Sequence, residues 1–180
     1  MLIPGNAQKV LKVLHLLAVS YWIGGALALL ILVWASSRAQ SGDELYGVLK
    51  SVRFVNVVVV VLLGALGSLF TGLAYSLCTN RGFFRHKWII LKWVITAYLF
   101  VVGVFLLGPW STYMLETADN LGYAALSDPG FIDIQTRHIY MQVFEVVLFI
   151  IAIVLSVYKP WETEEIIRRR QKYLPMRVDG

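Results

Sequence analysis

The stretch VLHLLAVSYWIGGALALLILVWAS, residues 13–36, holds nothing that ionises near neutrality except His15. A bilayer has a hydrocarbon core roughly 30 Å thick, and about 20 apolar residues at 1.5 Å each cross it as a helix. Three more such stretches follow: Phe54 to Asn80 with no charge, Trp88 to Leu115 broken by Lys92, and Ile139 to Tyr158 broken by Glu145. Lipid offers the backbone no hydrogen-bond partners, so spans of this kind must be helical. The expected fold is all-α, an integral membrane four-helix bundle. Its spans fall near 10–36, 54–78, 86–115 and 131–158 within a domain over 1–160, followed by a tail at 161–180. With 58% of its 180 residues hydrophobic, 15% charged and a mean hydropathy of +0.70, the chain lies outside the soluble range. The first apolar stretch is too long for a signal sequence and has no small-residue cleavage site before Arg38, which predicts a retained helix.

Four spans put both termini on one side. That side holds eleven of the sixteen Lys and Arg residues, against Arg38, Lys50, Arg53 and Arg137 on the other. The positive-inside rule then predicts N-in and C-in. The basic residues gather at span ends and in the tail, which suits lipid headgroups and argues against nucleic acid. Asp128-Pro129 has the form of an N-cap followed by proline at the first helical position, so the fourth helix is expected to begin near Pro129. WETEEIIRRRQKYL, after Pro160, reads as a short cytoplasmic interfacial helix with acids early and bases late. The lone Cys78 can form no internal disulfide. Ser20, Gly24 and Ala28 on the first helix, and Gly64, Ser68 and Gly72 on the second, repeat every four residues. Such stripes let membrane helices approach closely, either with each other or in a homodimer.

Ionisable groups inside a span cost about 2.5–3.5 kcal/mol on insertion scales and mark function by default. His15 sits a few residues inside the cytoplasmic edge of the first helix, and His86 at the cytoplasmic start of the third, so the two share a depth. Two imidazoles on different helices are what haem b needs for axial ligation. Lys12, Arg81, Arg85 and Lys87 lie near enough in sequence to that edge to pair with its propionates. The bland alternative makes His15 a packing hydrogen-bonder and His86 a headgroup-level residue. Trp22 shares the His15 face and is either core or pocket wall, while Lys92 either snorkels to the edge or serves the pocket. Deeper toward the outside, His138, Gln142 and Glu145 form one polar stripe at i, i+4 and i+7, with Arg53 as a distant partner for Glu145. A carboxyl there must be neutral, paired or water-lined, which suggests a proton path or a second site.

The residues Leu14, His15, Trp22, Gly24 and Gly25 in KVLHLLAVSYWIGGALALLIL resemble the first helix of the CopD-like copper-resistance domains and the HemJ-type protoporphyrinogen oxidases. TGLAY (71–75), HKWIILKW and LGPW (107–110) resemble uncharacterised bacterial membrane proteins of the same superfamily. The HemJ resemblance implies haem b with His15 as a ligand, and a basic residue that Lys87 or Lys92 matches. Where that family usually ends its first helix with a second histidine and a tyrosine, this chain has Val33-Trp34-Ala35-Ser36, a departure that bears on protoporphyrinogen oxidation and not on the haem ligand His15. The CopD resemblance implies copper, for which Met114, His138 and Met141 are the only outer ligands.

The leading expectation is a bacterial inner-membrane protein that binds haem b and passes electrons, with a quinone or a redox partner subunit, and an oxidoreductase activity of the HemJ kind is left open. The alternatives are a copper or small-solute transporter using the outer stripe, and a non-catalytic subunit that scaffolds a complex.

Overall fold

The computed structural model describes residues 4–78 and 87–158. Among these residues the chain is helical, with four rods each long and apolar enough to cross a membrane. Helix α1 is Gly5–Ser36. Helix α2 runs as Gly42–Phe54, a π-helical stretch Val55–Leu66, and Gly67–Cys78. Helix α3 runs as Lys87–Val102, a π-helical stretch Gly103–Leu107, and Gly108–Leu121. A 3₁₀ segment, Gly122–Ser127, leads into α4, Pro129–Tyr158. The bundle therefore has a terminal end, where α1 begins and α4 finishes, and a far end.

Helices α2 and α3 extend well beyond their apolar windows. Gly42–Phe54 carries Asp43, Glu44, Lys50 and Arg53, yet it buries Leu45, Leu49 and Val52, spaced i, i+4 and i+7, completely. Its charges occupy the other face, so it is an amphipathic continuation of the span. Ser41 caps it by accepting from the Glu44 N–H at 3.2 Å, and Glu44 reaches back to the Gln40 N–H at 2.7 Å, a variant of the capping box. Opposite it, Gly108–Leu121 buries Ser111, Met114 and Ala118. Gly122 ends that helix at φ 57°, a left-handed conformation that glycine adopts without strain. Asp128 then caps α4 by accepting from the Phe131 N–H at 2.8 Å, so α4 does begin at Pro129.

Helices α1 and α2 cross at very short range. A Cβ at Gly64 would lie 2.6 Å from Trp22 Cα, and one at Gly25 would lie 2.6 Å from Val60 Cγ2. The α2 stripe is thus at the crossing, but its partner on α1 is the face of Ala18, Trp22 and Gly25. Ser20 and Gly24 are exposed, and Gly24 has nothing within 4 Å of a Cβ position. The expected pairing of the two small-residue stripes is corrected accordingly: Trp22 needs glycine opposite it because its bulk starts at the backbone contact.

The π-helical turn in α3 has a local cause. Pro109 has no N–H and cannot close the bond to the carbonyl four residues back, and just before it the Gly108 N–H bonds the Gly103 carbonyl at i−5.

Candidate functional site: a histidine-lined cavity at the terminal end

At the terminal end the four helices part around a cavity of about 450 Å³. That lies within the roughly 300–1,000 Å³ of small-molecule and cofactor sites. Its wall includes Lys12, His15 and Trp22 of α1, Ser68 and Gly72 of α2, Lys92 and Trp93 of α3, and Phe149 and Ser156 of α4. From Lys12 to Trp22 is ten residues of helix, or about 15 Å of depth.

His15 is held by α2. Its Nδ1 lies 3.0 Å from Thr71 Oγ1, and the Thr71 hydroxyl lies 2.6 Å from the Gly67 carbonyl. A hydroxyl has one proton, and a carbonyl can only accept, so Thr71 donates to Gly67 and accepts from His15. Assigned from this network, Nδ1 carries the proton, and in the neutral ring Nε2 keeps its lone pair. Gly72 makes room for the ring, since a Cβ there would lie 3.2 Å from His15 Cε1. The Ser68 carbonyl also lies beside the ring, and a histidine anchored in this way to protein acceptors is oriented as metal-binding imidazoles are.

Lys92 does not reach for the interface alone. It donates to Ser156 Oγ at 2.9 Å, and Ser156 in turn donates to the Ala152 carbonyl at 2.8 Å. This places its ammonium in the cavity wall, on the α4 side. Trp22 is both core and wall: it is 5% exposed, and its ring meets Phe149 edge-on at 5.2 Å, closing the cavity floor. Lys12 is exposed at the rim.

His86, Arg81 and Arg85 lie outside the described residues, as do the tail 161–180 and the side chain of Lys87. The far stripe is present on α4. His138, Gln142 and Glu145 are 1%, 1% and 4% exposed, and Gln142 Nε2 donates to Glu145 Oε2 at 3.4 Å. Arg53 is not their partner. Its guanidinium donates to Thr112 and lines a separate groove of about 300 Å³ with Asn56, Gly103 and Gly108. Of the outer copper ligands, Met114 is fully buried in the core, and Met141 accepts from the Tyr98 hydroxyl at 3.9 Å. Among the described residues, no three His, Cys, Asp or Glu side chains are placed to share a metal ion.

Sequence reasoning missed Thr71, Ser156 and Gly103. Thr71 stands in the TGLAY motif, but nothing in its own spacing pairs it with a histidine 56 positions earlier. Comparison of the chain with protein-family models, curated proteins and solved structures finds no match.

Proposed function

We propose that this multi-pass membrane protein binds haem b in the terminal cavity, with His15 as the residue that would hold its iron, and serves in electron transfer. The observation that carries the reading is the anchored imidazole: Thr71 fixes the Nδ1 proton, which leaves Nε2 as the donor atom of a ring that lines a cofactor-sized cavity. The surroundings fit the group. The wall is mainly apolar, with Trp22 and Phe149 at the floor, and Lys12 at the rim offers a cation to an acidic edge. Gly72 keeps clear the space that a Cβ would take from the imidazole.

Bound haem supplies a one-electron iron couple, whose chemistry belongs to the cofactor. The chain's own residues bind and orient. Thr71 sets the plane and tautomer of His15, Lys92 holds a positive charge against the α4 wall through Ser156, and Trp22 with Phe149 shuts off the far half. His86 enters as the second ligand by the sequence argument alone, and a quinone or a redox subunit is the proposed exchange partner. The HemJ-type resemblance supports haem through the same His15. The absorption spectrum of the purified protein tests the reading: a Soret band that is lost in His15→Ala supports it, and no band, or one untouched by that substitution, rejects it.

A further inference from the structure

The face of α4 that forms the cavity wall through Phe149, Ala152 and Ser156 continues toward the far end as Glu145, Gln142 and His138. Three polar atoms on it have no partner: Glu145 Oε1, Gln142 Oε1 and His138 Nδ1. Each belongs to a side chain more than nine-tenths buried. Orphaned polar atoms at this depth are costly, and bound water is their usual complement.

Spacing decides what that complement is. His138 and Glu145 are seven residues apart, or about 10 Å along the axis. Metal–ligand bonds are about 2.0–2.6 Å long, so the row cannot converge on one ion. The steps of four and three residues are about 6 and 4.5 Å. Two hydrogen bonds of about 2.8 Å through one water reach about 4.5–5.6 Å, enough for the shorter step, and a second water completes the longer one. The row thus fits a file of water.

The opposite wall is the π-helical stretch of α3. The Leu107 carbonyl lies beside the His138 ring, and Gly103 faces Glu145. A Cβ at Gly103 would meet only Glu145 Oε1, at 3.9 Å, so the missing side chain leaves open room in front of the carboxyl. Gly103 also lines the groove of Arg53, Asn56 and Thr112. No titratable side chain occurs within Gly103–Leu107, His138 is the titratable neighbour on α4, and Arg53 is the charged group on α2 across Gly103. Helix α1, whose Trp22 packs on Phe149 one turn toward the terminal end, carries no titratable side chain between Trp22 and Ser36.

We propose that Glu145 is a proton-binding site served by a file of water between α4 and the Gly103–Leu107 segment, with the groove beside Arg53 as its mouth. The proton passes from water to a Glu145 carboxylate oxygen and returns by the same file, with no bond to any other group made or broken. The inference stands whether or not the terminal cavity takes haem.

Infrared spectra of the purified full chain test it. On the acid side of its titration Glu145 contributes a carboxylic C=O stretch, identified by its loss in Glu145→Gln, and its shift is followed after rapid mixing with D₂O. The expected result is prompt exchange in the unmodified chain, slowed about tenfold or more in Gly103→Leu, which fills the open room, or in Gln142→Leu, which removes the middle rung. Three results would each overturn the proposal: no band lost in Glu145→Gln, equal exchange in the unmodified chain and both variants, or a band displaced by sodium ions alone. The two variants act from different helices, so misfolding of one leaves the other decisive.

Discussion

The far half of the bundle and its terminal half are built from the same four helices and treat interior space in opposite ways. In the far half Val33, Leu45, Leu49, Val52, Met114, Ala125 and Phe131 are all fully buried. Gln135 donates there to Ser36 Oγ at 2.8 Å, with Ser36 itself donating to the Val33 carbonyl at 2.7 Å. In the terminal half the interior is a cavity of about 450 Å³, and the polar groups on its wall are held to neighbouring helices. The difference teaches where rigidity comes from. The two helical segments at that end of α2 and α3, Gly42–Phe54 and Gly108–Leu121, add their buried faces to the far half only. Packed by these faces everywhere but at the groove beside Arg53, the far half can hold the helices apart at the other end, where the cavity opens.

The sharpest way to break this comparison is to hollow the filled half. Phe131→Ala, at a fully buried position, is expected to cost about 3–5 kcal/mol in denaturant unfolding of the solubilised protein. Next comes the crossing that joins the halves. Gly64→Ala would drive a methyl into Trp22 at 2.6 Å, for an expected loss of about 1–3 kcal/mol in the same assay. Thr71→Val keeps shape but removes the acceptor for His15 Nδ1. Its expected cost in stability is about 0.5–1.5 kcal/mol, while haem affinity, read by titration, should fall about 10–100-fold. The smallest effect is expected at Leu16, which is exposed on the rim of the open half: Leu16→Ala should change stability by no more than about 0.5 kcal/mol. Equal losses at Phe131 and Leu16 would mean that the two halves are not differently packed.

Much of this architecture could be read in the chain because lipid leaves so few choices. Four long apolar stretches, two of them broken by a single charge, announce four helices, and Asp128-Pro129 announces where the last begins. The charge-free criterion locates where lipid begins, however, and not where a helix does. Gly42–Phe54 is helical through four charged residues because its apolar positions fall on one face, against protein rather than lipid. The site was legible in part. A histidine and a lysine inside apolar runs stand out by cost alone, and both prove to line one cavity. Their anchors, Thr71 and Ser156, are common residues in membrane helices, and only the packing of α1 on α2 and of α3 on α4 pairs them. The α1 contact face was hidden because small residues occur on two sides of that helix, and only Gly64 opposite Trp22 decides between them.

The claim that the open half is a haem site built on His15 is tested most directly by chemical rescue. Haem is titrated into the unmodified protein and into His15→Ala, with and without free imidazole, while the Soret band is followed. The account predicts saturable binding in the unmodified protein, its loss in His15→Ala, and its recovery when imidazole enters the space the side chain left. Saturable binding of equal affinity in His15→Ala without imidazole would contradict it.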